Sequence, residues 1–508
     1  MTSNPSLGKG TVYLVGAGPG APGLITLRAV ECLARADLVL YDYLANPVVL
    51  EHASPSAELV CLGHHSSGRF LSPDEITARM VEGAQSGKTV VRLKGGDPSV
   101  FGRGVDEIEA LRGAGIPFEI VPGITAGLAV AAYCEIPVTH HDDASAVALI
   151  AGQERVGKAS SCLDYGVLAE FPGTLIFYMG VRKAAEWSRA LIEHGKPAET
   201  PVAVVQWCTR ARQQMVRCSL ATVGEVVERQ GLRPPAVFVV GKVVDRAPQL
   251  SWFADRPLYA TRVLVAGSPG TSEKLRDRLA ALGAEVVAQA AIRIADPPDW
   301  GPVDAALDRL DQYDWLVFSS ANGVDYFFQR LFDRGGDARR LERAKLAVVG
   351  SSTAERLAQY HLHADVVPER FNAESLAESL ASEAAGKRFL LARASRGRQV
   401  LADALGRAGA EVDQIVVYKS EDVEDADPDV SAALSSGEIH WITVTSPAVA
   451  RSLVRLHGDA LRRARFASIS PLTTAALAEL GFAAAAEASE YTVDGLVDAM
   501  LRAGHADG

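Results

Sequence analysis

Cysteine is scarce and unevenly placed: the 508-residue chain has six, at Cys32, Cys61, Cys134, Cys162, Cys208 and Cys218, all in its first half and none in a C-x-x-C pair. That spacing supplies neither a disulfide framework nor a zinc site, and it fits scattered buried thiols in a reducing compartment. No apolar run approaches the ~18 residues of a membrane helix. The opening MTSNPSLGKG lacks the apolar core of a secretory signal. An excess of positive charge is missing too. A net charge of -11 argues against bulk attraction to nucleic acid or an anionic membrane, but not against an anionic small molecule met by a local cluster of Arg and Lys. The expectation is a cytoplasmic protein with small-molecule partners, no nucleic acid and no membrane. With 48% hydrophobic residues large cores are possible, and at roughly 150 residues per domain the length suits three or four domains.

What the chain does have is glycine gathered at the ends of apolar runs. The stretch LKGGDPSVFGRG, Leu93 to Gly104, follows a run at 89–93 that reads as a buried strand. Gly95 and Gly96 lack a Cβ, so a flat ligand can lie against their main chain. Pro98 limits Asp97 to extended conformations. Upstream, VYLVGAGPGAPGLITLRA reads as a strand at 12–15, a glycine loop, and a helix at 24–36 with Leu24, Leu27, Ala29, Val30 and Leu33 inward. The next strand, 37–41, closes on Asp42. A helix over 72–86 opens with a capping box of Ser72 and Glu75, and another over 105–114 is stopped by Gly115. PGIT, Pro122 to Thr125, hands a strand end to a helix running to Tyr133, with Thr125 placed to cap it. IPVTHHD then leads to a second α/β unit with strands at 146–151, 174–178, 201–206 and 237–243 and a helix at 183–193.

Gly18 to Gly23 also fits G-x-G-x-x-G, and with Asp42 it makes a dinucleotide fingerprint, the basis for an NAD-dependent oxidoreductase. Against it, Pro19 and Pro22 sit where such a loop should pass smoothly into its helix, and nicotinamide binding gives the GGDP and PGIT segments no role.

In this order and spacing VGAGPG, LYDYL, LKGGDP and PGIT, with FYMG at Phe177 to Gly180 and PAVFVVGKVV at Pro235 to Val244, resemble the tetrapyrrole methylases of the uroporphyrinogen-III C-methyltransferase kind. The resemblance runs from about Thr11 to Val244. It implies S-adenosylmethionine as methyl donor, bound by Pro19, Gly95, Gly96, Asp97, Val100, Thr125, Ala126, Met179 and Cys208, with no metal. It also implies Asp42 as the acid that moves protons during methylation, beyond a strand end where ligands of open α/β sheets bind. Asp42 otherwise reads as a turn cap, and Met179 as a core methionine. Arg103, in FGRG, reads as a partner for substrate carboxylates or as a surface residue. The chain departs from the family pattern at three points. Ala21 stands where an acid is usual, and Cys208 where glycine is common. His64, followed by His65, stands where a lysine is the proposed proton donor, a role histidine can fill near neutral pH.

After an aperiodic linker at 246–260 the chain begins afresh and repeats itself. RVLVAGSPG from Arg262 aligns with RFLLARASR from Arg388, the same offset lays LVFSSANGV from Leu316 on ITVTSPAVA from Ile442, and a slightly shorter one lays KLAVVGSST from Lys345 on RFASISPLT from Arg465. Two copies suit a bilobed domain better than a solenoid. Hydroxyls and helix-start amides at the strand ends, including Ser319, Ser320, Thr353, Thr445 and Ser446, suit a polycarboxylate. FSSANGV, VGSSTA, VTSP and YTVDGL resemble uroporphyrinogen-III synthase over roughly Thr261 to Arg502. This resemblance implies two flavodoxin-like lobes that exchange chain segments, and a catalytic part for Tyr418 in VVYKS.

The expected architecture is therefore α/β throughout: a two-lobed methylase at 1–245, the linker, and a bilobed synthase at 261–508. The expected activities are closure of hydroxymethylbilane to uroporphyrinogen III, then its double C-methylation to precorrin-2 for sirohaem or cobalamin. Methylases of this kind are typically homodimers. Alternatives are a methylase of a later corrin intermediate, the oxidoreductase, and a non-catalytic tetrapyrrole carrier.

Overall fold

The computed structural model describes residues 10–63, 71–154, 161–247, 251–267, 269–397 and 399–505. The chain divides into two compact units, Met1–Val263 with Leu279–Val287, and Leu264–Arg278 with Ala288–Gly508. Among the described residues no helix is long and apolar enough to cross a membrane.

The first unit opens with strands β1 (Val12–Gly16), β2 (Leu38–Tyr41), β3 (Glu58–Cys61), β4 (Val90–Lys94) and β5 (Phe118–Val121), in sheet order β3-β2-β4-β1-β5. Every pairing is parallel, so the loops that follow the strands leave from one edge. GAGPG, Asp42, GGDP and PGIT are thereby gathered. Helices α1 (Leu27–Ala34), α2 (Pro73–Gln85), α3 (Gly104–Gly113) and α4 (Ala126–Tyr133) belong to this part. The capping box of α2 is formed in both directions, Glu75 N–H to Ser72 Oγ at 3.2 Å and Ser72 N–H to Glu75 at 2.7 Å. The helix expected at 24–36 starts late, because Pro22–Leu24 forms a 3-10 turn and Thr26 caps α1. This rotates Leu27 outward, where it is 85% exposed, and buries Ala29, Cys32 and Leu33.

The second lobe holds β6 (Val147–Ala151), β7 (Thr174–Tyr178), β8 (Pro201–Gln206), β9 (Gln214–Ser219) and β10 (Ala236–Val240), in order β6-β7-β10-β8-β9. β10 runs antiparallel to both β7 and β8, so its start lies beside their ends, with Val237 opposite Tyr178 and Ala236 opposite Gln206. The strand expected at 237–243 stops at Val240, since Gly241 turns at φ 142 into a 3-10 segment. The linker aromatics pack on this unit, with Trp252 Nε1–H donating to the Ala132 carbonyl at 2.7 Å and its ring 5.2 Å from Tyr133.

The remaining strands are β11 (Arg262–Gly267), β12 (Glu285–Ala290), β13 (Ile292–Ala295), β14 (Trp315–Phe318), β15 (Lys345–Val348), β16 (Arg388–Ala394), β17 (Glu411–Asp422), β18 (Trp441–Val444), β19 (Arg465–Ser468) and β20 (Ala484–Glu487). They form two sheets, β12-β11-β18-β19-β20 and β13-β17-β16-β14-β15. The strands paired by the sequence repeat follow one another in the same succession, β11-β18-β19 in one sheet and β16-β14-β15 in the other. β11, first in sequence, lies beside β18.

Candidate active site

Three glycine loops are stitched into one floor at the open edge of the first sheet. Gly18 and Gly96 exchange backbone hydrogen bonds at 3.2 and 2.8 Å. A Cβ on Gly16 would come within 2.6 Å of Gly123 Cα and 2.7 Å of the Gly96 carbonyl oxygen, so only glycine admits this approach. Gly96 itself sits at φ 72, a left-handed conformation that glycine takes without strain. Asp97 completes the stitching: one carboxylate oxygen accepts from Ser99 N–H at 2.7 Å and the other from Gly123 N–H at 3.0 Å. Its role is to tie GGDP to PGIT, beyond the extended backbone that Pro98 imposes.

The ends of β7 and β8 and the start of β10 supply the opposite wall of a cavity of about 530 Å³. Tyr178 joins wall to floor. Its hydroxyl lies 2.8 Å from Thr125 Oγ1, accepts from Gly127 N–H at 2.8 Å, and its ring is 5.1 Å from Phe101. Burial pushes the phenol's pKa up, so it stays protonated in ordinary buffers. Thr125 therefore does not cap α4 with its side chain, as its place in PGIT suggested; the hydroxyl is committed to Tyr178. Backbone strain concentrates here, with Phe101, Arg103, Met179, Trp207 and Thr209 all at φ between 50 and 71. Non-glycine residues hold that region only where their surroundings enforce it, which is common at ligand sites.

Pro19, Asp42, Gly95, Gly96, Asp97, Val100, Arg103, Thr125, Ala126, Met179 and Cys208, every methylase residue given a binding or catalytic role in the sequence apart from His64, line this one cavity. His64 lies outside the described residues. Met179 is 48% exposed and so is not a core methionine. Cys208 is buried beside Cys134; the two are free thiols, and their contact and burial hold the Cys208 pKa well above the usual range. Ala21, at the first departure, donates its N–H to Thr209 Oγ1 at 2.9 Å, a link from the glycine loop to the second lobe. The oxidoreductase reading loses its geometry, because α1 begins at Leu27, well past Gly23, and gives the glycine loop no helix N-terminus.

The polar floor was missed. Asp42 does not cap its turn; its carboxylate is 2.7 Å from Arg92. Arg92 also pairs with Glu107 at 3.1 Å, and Glu107 binds Lys94 at 2.8 Å. Burial, followed by Arg92, pulls the Lys94 pKa down while Glu107 holds it up. The available signal was Arg92, a cation within the run at 89–93 read as a buried strand, with a second cation, Lys94, directly after it. Tyr178, Trp207 and Phe101 carried no signal of their own.

Among the described residues one grouping of metal-ligand types occurs, His140, His141 and Asp142, with ligand atoms within 4.8 Å of one another. His140 Nδ1 accepts from Asp142 N–H at 3.2 Å and faces Asp143, which pairs with Arg246 at 2.7 Å.

In the second unit the parallel strands β14, β15 and β16 end on one edge. Ser319 is exposed there. Ser320 caps the helix Ala321–Asp333, accepting from Gly323 N–H at 3.1 Å, and lies 3.1 Å from the Tyr418 hydroxyl. Tyr418 is buried on β17 with its ring 5.7 Å from Tyr326, and burial raises its pKa. Ser446 caps the helix Pro447–His457 and adjoins the half-buried Thr445. Thr353 stands apart from this set, since it is 3% exposed within the helix Ser351–Gln359.

Family models place both halves: residues 11–224 match Tetrapyrrole (Corrin/Porphyrin) Methylases and residues 273–498 match Uroporphyrinogen-III synthase HemD. The chain belongs to the tetrapyrrole methylase family over the first stretch and to the uroporphyrinogen-III synthase family over the second. It is 32% identical to a porphyrin biosynthesis protein HemD of Ruminiclostridium josui over 97% of this chain and 98% of that one. It is 39% identical to a uroporphyrinogen-III C-methyltransferase of Bacillus subtilis (strain 168) over 69% of this chain and 71% of that one. With a siroheme synthase of Zymomonas mobilis it shares 43% identity over 49% of its length, spanning about half (52%) of that relative.

Proposed function

We propose that the chain is a bifunctional enzyme of tetrapyrrole synthesis, with a methylase at 1–245, a linker at 246–260 and a synthase at 261–508. The synthase closes hydroxymethylbilane, inverting the terminal pyrrole, to give uroporphyrinogen III. The methylase then moves two methyl groups from S-adenosylmethionine to ring carbons, giving precorrin-2. The working form is a cytoplasmic homodimer joined through the methylase half, without metal, membrane or nucleic acid. The observation that carries this reading is the convergence of the donor-site residues, from separate segments of two lobes, on one cavity with Asp42 among its lining.

The residues present suit such a donor, because the cavity is of the size that encloses small ligands and Gly95 and Gly96 keep side-chain bulk off its floor. When bound, the donor supplies an electrophilic methyl on a sulfonium. Gly95, Gly96 and Asp97 would hold it from below, and Thr125, Ala126, Met179 and Cys208 from the other side. Their task is to align that methyl with an electron-rich ring carbon. Asp42 accepts the one proton that the ring loses per methyl gained. Arg103, exposed at φ 53, takes a substrate carboxylate. In the other half Tyr418 assists departure of the hydroxyl of hydroxymethylbilane, while Ser319, Ser320, Thr445 and Ser446 serve its carboxylates.

Two outcomes are expected. S-adenosylhomocysteine at about 100 times its Kd adds roughly 2.7 kcal/mol, raising the Tm of the unit that binds it by roughly 5–10 °C, whereas NAD leaves the Tm unchanged. A shift with NAD alone overturns the reading. Arg103→Ala raises the KM for uroporphyrinogen III about tenfold or more, the value of a lost charged hydrogen bond, with the KM for the donor unchanged; steady-state kinetics varying each substrate in turn measures both.

A further inference from the structure

β4 is the central strand of the first sheet and all five of its residues are buried, yet two of them are cations. Arg92 and Lys94 are two apart and so share a face, while Val91 and Leu93 pack in the core on the other side. Buried cations persist only where anions meet them. Here a single side chain meets both: Glu107 of α3 accepts from Arg92 Nε at 3.1 Å and from Lys94 Nζ through both oxygens at 2.8 Å. Arg92 extends the chain to Asp42 with its far nitrogen, at 2.7 Å. The result is an alternating, charge-balanced row, Asp42, Arg92, Glu107, Lys94, every member of which lines the donor cavity. Only its end is open: the Asp42 side chain is 28% exposed, against 4–9% for the other three.

We propose that Glu107 is a positioning residue for methyl transfer, which through Arg92 holds the Asp42 carboxylate aimed into the cavity and together with Lys94 sets the local charge that this carboxylate meets. The proposal rests on Asp42 being the proton acceptor. α3 thus does more than follow the GGDP loop. Its first turn reaches behind the floor and locks the cation that orients the base. Besides the row itself, Tyr43, Asp97, Arg103, Asp106, Tyr178, Cys208 and Arg210 are the charged and titratable groups that line the cavity with Asp42.

The full chain, assayed for methyl transfer to uroporphyrinogen III across pH, tests this. With Glu107→Gln the row carries an extra positive charge, which favours ionised Asp42, so the acid limb of kcat moves to lower pH; kcat at its plateau falls about tenfold because Arg92 is no longer locked. With Lys94→Met the balance is reversed and the limb moves to higher pH. The double variant Glu107→Gln/Lys94→Met restores balance, and its limb returns toward that of the parent. Far-UV circular dichroism and a single cooperative melting transition verify the fold of each variant. If Glu107→Gln does not fold, Lys94→Met and the double variant still give the opposed comparison. Limbs that stay in place in the folded variants overturn the proposal, as does a double variant displaced as far as a single one. Asp42→Asn separates the two levels: parental activity there refutes the role of Asp42 itself, while lost activity with unmoved limbs in the other variants refutes only the role of Glu107.

Discussion

Replacing Asp42 by Asn is expected to slow methyl transfer by about 10² to 10⁴-fold, the range of a positioned acid or base, while S-adenosylhomocysteine still binds. The amide is nearly isosteric with the carboxylate and keeps an oxygen for Arg92, 2.7 Å away in the parent, so the floor is preserved and only the proton acceptor is removed. Single-turnover rates with saturating donor read the chemical step directly. A rate within twofold of the parent would mean that the proton leaves by another route.

Gly123→Ala is expected to be as damaging by a different physical path. A Cβ there would come within 2.8 Å of Gly16 Cα and press into the Gly96 carbonyl oxygen. Both obstacles are backbone and cannot rotate aside, so the three loops must part. Overpacking of this kind costs about 1–3 kcal/mol, or a fall in Tm of roughly 2–10 °C for a unit of this size. S-adenosylhomocysteine affinity should fall more than tenfold, because the parted loops are the floor it rests on. Gly113→Ala is the control: a Cβ there meets nothing within 4 Å, and stability should hold or rise slightly as a helical glycine is replaced. Equal affinity in the two variants would show that the approach of Gly16, Gly96 and Gly123 does not shape the site.

Local signals in the sequence were strong wherever one residue type has one physical use. Ser72 and Glu75 gave the capping box, GGDP and PGIT gave the glycine floor, and the internal repeat gave the matching strand orders of the two last sheets. The failures arose where a side chain's partner is distant in sequence. Thr125 reads as a helix cap until the fold brings Tyr178 within 2.8 Å. Leu27 fits an inward stripe until the 3-10 turn shifts the start of α1 and turns it outward. Arg92 and Lys94 mean little without Glu107, and only the packing of α3 on β4 makes the three one row with Asp42. The strand end at Val240 was overrun because its apolar pattern continues through Val243 and Val244, which are buried in the following 3-10 segment instead.

The most direct measurement is to incubate the purified chain with hydroxymethylbilane and isotopically labelled S-adenosylmethionine and to follow the products by mass. A cyclic tetrapyrrole bearing first one and then two labelled methyl groups is the predicted result, with the bilane consumed by this chain alone. Ring closure without methyl uptake, methyl uptake only when uroporphyrinogen III is supplied, or neither, would each contradict a single chain that performs both reactions.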